Sequence, residues 1–475
     1  MTSFLIALHL ASLIGLAIYG LLGFLTLALY RRHRRDFIPV PPSPPDLPLV
    51  TIQLPVYNER EVIGRLIAAV AAIDYPPERL EIQILDDSTD DTTAAAAALV
   101  TAYQAQGVRI THLHRGNRRE YKAGALQDAL PAATGEFIAI FDADFVPYPD
   151  FLRRTVPYLL ADDELGAVQT RWGHLNSDDS SLTQAQAMAL DKHFVIEQFV
   201  RHRADFFPKF NGAAGVWRRQ CIEEVGGWQG DTVCEDLCLS TRAVLAGWRF
   251  HFAVDVVAPA ELPASISAYK TQQARWAMGS TQCLTKYGRR IARANEQSTM
   301  ARLYSLLSLG AYATQALFLL LLLVQLPLVL TGYHLPGWVL LFGPIGLGQP
   351  LLFILAQQAL YRDWPARLRH LPALLLIALG TAPSNTRAVL HGLVGRRFTF
   401  ERTPKGAGGS YRSPTGNILW VELAFLVYSA VTLVVAIYVG KTGPILLLTT
   451  ALLGFSWVFW LGIQERLHPT PSPFE

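Results

Sequence analysis

A run of apolar residues from Phe4 to Tyr30, ended by the basic string "RRHRR", most restricts what this chain can become. A hydrocarbon core about 30 Å thick is crossed by roughly 20 helical residues, so the run is long enough to span one. It is longer than the apolar part of a secretory leader and no convincing cleavage site follows it, which makes it an anchor. "PVPPSPPDLP" at 39–48 then reads as a stiff, extended linker. From Leu49 to about Ala301 nothing can span a membrane, whereas Leu303–Leu330, Trp338–Leu360, Asn417–Val439 and Pro444–Ile463 can. The chain thus divides into an N-terminal span (1–30), a basic and Pro-rich linker (31–48), a polar domain (49–301), a membrane region (302–465) and a tail (466–475).

The stretch "LPALLLIALG" (371–380) is only about half a span and runs directly into "TAPSNTRAV", so residues 371–395 are expected to lie in the membrane interface. With five spans, "RRHRR", "YRDWPARLRH" and "GRRFTFERTPKGAGGSYR" all face one side, and only short loops near "TGYHLPG" and "GKTGP" face the other. That is the positive-inside pattern, and it makes the polar domain cytosolic. A sixth span would carry "RRFTFERTPK" to the outer side and is set aside for that reason. The Ala-, Leu- and Arg-rich sequence suggests a bacterial inner (plasma) membrane.

The formal net charge of +3 argues against a nucleic-acid partner, which calls for a strongly basic face. The four cysteines fall between Cys221 and Cys283 without paired metal-ligand spacing, and read as reduced thiols. Cys234 and Cys238 stand four apart and would share a helix face, but two thiols do not complete a zinc site. They read as packing residues. His112 and His114 alternate on a strand and have no evident third ligand.

In the polar domain, "LVTIQLPVY", "LEIQILDDS", "VRITHLHR" and "FIAIFDAD" alternate with helical stretches, one from about Val62 and one through "DTTAAAAALVTAY". Three of these runs are nearly continuously apolar, the mark of parallel strands buried on both faces. A βαβ sheet follows, with its ligand site at the carboxyl ends of the strands. Polar residues gather there: Tyr57, Asn58 and Glu59 after the first strand, Asp86 and Asp87 after the second, Asp142 and Asp144 after the fourth. No Gly-rich phosphate loop is present, so a nucleotide would be held by carboxylates and a metal.

Two acids one residue apart at a strand end offer hard oxygen ligands for Mg²⁺ or Mn²⁺, although Asp142 and Asp144 taken alone also fit a surface turn. Asp86 and Asp87 alone equally fit a turn or cap before the next helix. Gln272, Arg275 and Trp276 stand at i, i+3 and i+4 and share one face of a helix. Arg suits diphosphate oxygens and Trp a sugar ring, while an Arg/Trp helix lying at the membrane interface remains an equally open reading. Asp236 could also be the N-cap of a helix through "LCLSTRAVLAG".

Taken together, "LPVYNE", "LDDSTD", "YKAGAL", "FDADFVP", "FNGAAGVWR", "CEDLCL" and "QQARW" resemble, in order, the motifs of the membrane-embedded family 2 glycosyltransferases, especially the cellulose-synthase-like mannan and glucan synthases. The resemblance runs from Val50 to about Arg412. It implies an α/β fold of the GT-A, Rossmann-like type beside an α-helical transmembrane domain. It also implies a nucleotide sugar as donor, GDP-mannose or UDP-glucose, and Mg²⁺ or Mn²⁺ as cofactor, with inversion at the anomeric carbon.

By position, the resemblance gives Pro55, Tyr57, Glu59, Asp86 and Asp87 to the nucleoside pocket and Lys122 to the diphosphate. It gives Asp142 and Asp144 to the metal, and Asp236, beside Glu235, to the general base. Gln272, Arg275 and Trp276 would close the donor site, and Trp276, Asn211 and Gly212 would face the acceptor. "RAVLHGLVGRRFTFERTPKG" resembles an interfacial helix and the gating loop of processive synthases, with Phe400, Thr403 and Lys405 at that loop's spacing and Arg402 departing from it. The implied activity is a processive β-glycan synthase that extends a polysaccharide and exports it among membrane lipids. A lipid glycosyltransferase adding a single sugar shares the acidic motifs and stays open.

Overall fold

The computed structural model describes residues 2–36, 38–332, 336–395 and 418–467. Strands β1 (Val50–Val56), β2 (Leu80–Asp86), β3 (Ile110–His114), β4 (Phe137–Ile140), β5 (Leu165–His174), β6 (Gly215–Arg218) and β7 (Arg249–Ala260) form one sheet in the order β3-β2-β1-β4-β6-β5-β7. The first four strands are parallel, as expected, and β6 is antiparallel to both of its neighbours, which makes the sheet mixed. β5 and β7 pair in parallel at the far edge.

Alternation along β4 shows why its sequence is apolar throughout. Phe137 and Ala139 enter one core with Leu66 and Val70 of the Ile63–Ala71 helix, and Ile138 and Ile140 enter another with Leu126, Trp217 and Leu239. Every residue of β4 is buried, because helices cover both faces. With both faces closed, only the strand ends remain to bind anything.

Among the described residues, five helical segments are long and apolar enough to cross a membrane: Thr2–His33, Ala313–Leu330, Gly337–Leu360, Leu419–Tyr438 and Ile445–Leu467. Trp364–Gly380 and Ala382–Leu393 meet at a bend of 48°, and only by counting this pair as one broken span does the number rise to six. The second span starts later than the sequence suggests. Ser298 caps a separate helix, Thr299–Leu309, whose Tyr304 packs on Phe206 of the polar domain and meets Thr26 Oγ1 at 3.1 Å. Within this helix, Tyr304 and Leu309 are buried against protein.

The polar domain and the apolar helices are joined through the Ile266–Ala292 helix. Its first turn receives Glu465 of the last helix, with Ser267 Oγ donating to Glu465 Oε2 at 2.7 Å. Lys270 Nζ lies 2.5 Å from Glu422 Oε1, with both side chains buried. The gating-like residues Phe400, Thr403 and Lys405 lie outside the described residues.

Candidate active site

A cavity of about 190 Å³ opens at the carboxyl ends of β1, β2 and β4, where the acidic turns meet. Pro55, Tyr57, Glu59, Asp87, Lys122, Asp142, Asp144, Asn211, Gly212, Glu235, Asp236, Gln272, Arg275 and Trp276 all line it. Residues spread over more than 200 positions of sequence are thus brought to one place.

Asp86 is the exception. Its carboxylate is buried, accepting from Ser88 N at 2.8 Å and meeting His112 Nε2 at 3.0 Å and His114 Nδ1 at 3.3 Å. Burial opposes its charge, but these hydrogen bonds outweigh that cost and hold its pKa well below the usual range. Asp86 therefore braces the loop from beneath, and Asp87 is the member of the pair that reaches the cavity. Among the described residues, no three His, Cys, Asp or Glu side chains group as a metal site, the two histidines included.

Asp87 does not stand alone. Arg115 grips it with two parallel bonds, Nε to Oδ1 at 2.7 Å and Nη2 to Oδ2 at 2.6 Å. Arg118 stacks on the Tyr57 ring, 3.2 Å from its centroid, and lines the cavity too. Sequence reasoning missed both arginines, although "HRGNRRE" directly follows β3 and so obeys the strand-end rule. Trp172 and Phe145, 5.3 Å apart in edge-to-face contact, complete another wall. Trp172 comes from β5, which carried no clear strand signal.

On the opposite wall, Cys234 is the N-cap of the Glu235–Leu245 helix, not Asp236. Glu235 and Asp236 fall in its first turn, where the helix dipole favours carboxylates. Burial, then repulsion from Glu235, pushes the Asp236 pKa up to about 7, with Lys122 opposing. Burial raises Glu235 as well. The loop before them is pinned by Gln282, whose Oε1 accepts from Val233 N at 2.9 Å. Gly279 lets the long helix approach, since a Cβ there would stand 2.2 Å from Cys234 Sγ. Burial raises the Cys234 thiol well above its usual range, so it packs as a neutral group.

Lys122 bridges the two walls, donating to Asp142 Oδ1 and to Gly212 O at 3.0 Å. Burial alone would lower its pKa; Asp142, Glu235 and Asp236 outweigh burial and raise it. The ammonium is thus held charged between the two walls. Asp142 and Asp144 supply hard oxygen donors beside it. A pair of carboxylates fits Mg²⁺ or Mn²⁺, which take one or two from protein and complete their shell with phosphate oxygens and water.

With the fold and the cavity described, comparison with known proteins gives them a family. Residues 45–279 match the family described as glycosyltransferase like family 2. That region is a family 2 glycosyltransferase domain. Over 265 residues, 54% of this chain and 50% of the relative, the sequence is 43% identical to glucomannan 4-beta-mannosyltransferase 1 of Oryza sativa subsp. japonica. Over 267 residues, 55% of this chain and 50% of the relative, it is 40% identical to glucomannan 4-beta-mannosyltransferase 2 of Arabidopsis thaliana. The chain thus spans about half the length of these curated relatives. Among solved structures, the mannosyltransferase PcManGT from Pyrobaculum calidifontis, in complex with GDP-Man and Mn²⁺, shares the fold with a TM-score of 0.55 and 23% identity. The match covers 83% of this chain and 99% of that one.

Proposed function

We propose that this chain is an inverting, divalent-metal-dependent hexosyltransferase that extends a β-linked mannan, glucomannan or glucan from GDP-mannose or UDP-glucose and passes it across the membrane. The observation that carries this reading is the position of Asp236. It is a half-buried carboxylate with a pKa near 7, in one cavity with Lys122, Arg275 and the Asp142/Asp144 pair. The glucomannan mannosyltransferase relatives support a mannosyl donor, and the GDP-Man and Mn²⁺ held by the archaeal enzyme support a nucleotide sugar with a metal.

The chemistry follows from these groups. An acceptor hydroxyl is a weak nucleophile at neutral pH, and Asp236 is poised to take its proton as attack proceeds. The new C–O bond forms on the face of the anomeric carbon opposite the diphosphate, and the electron pair of the broken bond leaves with the phosphate oxygen. Lys122 and Arg275 would stabilise that charge as preorganised cationic groups. Asp142 and Asp144 would hold a divalent ion, which supplies further charge neutralisation for the departing diphosphate. One base suffices, and no covalent sugar–enzyme intermediate is needed.

Export is supported by the five apolar helices and by the ties from the Ile266–Ala292 helix to Glu422 and Glu465. The basic loops support a cytosolic catalytic domain. The relatives found are plant proteins, so a bacterial membrane has no support from them. Purified protein in lipid nanodiscs, given Mn²⁺ and either GDP-mannose or UDP-glucose, is expected to yield a β-linked polymer by mass spectrometry. A product limited to monoglycosylated lipid would replace this reading with that of a lipid glycosyltransferase.

A further inference from the structure

Asn211, on the proposed acceptor wall, is held from behind by a line of polar side chains that its motif does not contain. They come from Lys192–Gln198, a π-helical segment between the Ser181–Asp191 and Phe199–Arg203 α-helices. Such segments are rare and recur at functional sites, because widening the helix by one residue redirects side chains.

The hydrogen bonds fix one another. Arg201 can only donate, so the Gln198 atom that its Nη1 reaches at 3.1 Å is the carbonyl oxygen. The Gln198 amide nitrogen therefore donates to Lys209 O at 2.7 Å and to Asn211 Oδ1. With Oδ1 engaged, Asn211 turns its amide nitrogen toward His193 Nε2, 2.8 Å away. A nitrogen that receives this bond carries no proton. The ring proton is then on Nδ1, which donates to Glu197 Oε2 at 3.2 Å. Glu197 Oε1 faces the Lys192 ammonium at 2.7 Å. Lys192 also reaches Gln349 Oε1 at 3.4 Å, and Gln349 Nε2 donates to Tyr19 O at 3.0 Å.

From this geometry we infer that His193 is a positioning residue: as the Nδ1-protonated tautomer, backed by Glu197 and Lys192, it fixes the Asn211 amide within the proposed acceptor wall and ties that wall to two membrane-spanning helices. The Asn211 backbone is held as firmly, donating to Gln169 Oε1 at 2.7 Å. Burial keeps the His193 ring neutral by lowering its pKa, in spite of Glu197. Gln349 and Tyr19 lie on the Gly337–Leu360 and Thr2–His33 spans, so a shift of those helices reaches Asn211 through four side chains. His193 itself is not among the residues that line the cavity.

This inference rests on Asn211 facing the acceptor, as proposed above, and two measurements keep the ideas separable. With ¹⁵N-labelled histidine, a His193→Gln difference spectrum assigns the ring among the twelve histidines of the chain. The wild-type ring is expected to show a protonated Nδ1 and a bare Nε2, without any turnover being needed; a protonated Nε2 overturns the relay. In acceptor kinetics, His193→Phe is expected to lower kcat/KM for the acceptor by about tenfold, the worth of one hydrogen bond, with donor affinity unchanged. His193→Gln, which can accept from Asn211 and donate to Glu197, is expected to recover most of that loss. Equal acceptor kinetics in wild type and His193→Phe, or a His193→Gln no better than His193→Phe, contradicts the inference. Absence of transfer by the wild type counts against the proposed function, and the tautomer then decides the relay alone.

Discussion

Lys122 joins Asp142 on one wall of the cavity to the Gly212 carbonyl, 3.0 Å away, on the other. Its ammonium is held charged by Asp142, Glu235 and Asp236, and in the proposed mechanism it would meet the leaving diphosphate. Lys122→Met is expected to lower kcat by about 10²-fold, the usual loss when one preorganised charge partner is removed. Single-turnover assays at saturating donor check this. A kcat within twofold of wild type would take Lys122 out of the catalytic machinery.

Gly212 is needed for two reasons. Its φ of +79° suits glycine, and a Cβ there would lie 3.3 Å from Asp236 Oδ2. Gly212→Ala is expected to shift the Asp236 carboxylate and cut transfer at least tenfold, since misplacement by about 1 Å costs about 10²-fold. Nucleotide binding, read by calorimetry, is expected to stay within twofold.

The Lys270–Glu422 pair connects the Gln272/Arg275/Trp276 helix to an apolar span, and neither charge reaches solvent. Lys270→Met leaves a buried carboxylate uncompensated, an effect worth about 3–5 kcal/mol. A lower thermal midpoint in detergent is expected, with the double variant Lys270→Met/Glu422→Leu recovering much of the loss. No recovery in the double variant would mean that Lys270 acts by packing alone.

Partly buried His202 and buried His251 meet with ring centroids 5.0 Å apart, and His251 stacks on Tyr158. Burial, then Arg203, lowers the His202 pKa to about 3; burial, then His202, lowers that of His251 to about 2. Folded values below the unfolded value of 6.5 mean that the unfolded chain binds more protons in acid. Their contribution is full above pH 6.5 and declines as pH falls toward about 3 for His202 and about 2 for His251. His251→Phe keeps a ring on Tyr158 and is expected to flatten the acid side of a midpoint-versus-pH curve. An unchanged curve would exclude the pair as its cause.

Much of the site was legible because a strand buried on both faces has only its ends for polar work. Asp142, Asp144, Tyr57 and Asp87 were found that way. Asp86 was not separable from Asp87, because nothing in "LDDSTD" tells that His112 and His114 from the next strand will meet the first acid and leave the second to the cavity. β6 has only four residues and no alternation to betray it. The apolar run from Leu303 to Leu330 concealed a break, since burial against protein and burial in lipid select the same residues. The π-helical turn at Lys192–Gln198 has no residue pattern of its own, so the contact of His193 with Asn211 emerges only in three dimensions.

The role of Asp236 is tested most directly by Asp236→Asn, assayed with calorimetric donor binding on the same preparation. Sugar transfer at pH 7.5 is expected to fall by about 10²- to 10⁴-fold, the range for loss of a general base, while nucleotide-sugar affinity stays within a few-fold of wild type. Wild-type transfer should decline below pH 7, as a base with a pKa near 7 takes up its proton. An Asp236→Asn variant that transfers sugar at the wild-type rate would contradict the mechanism.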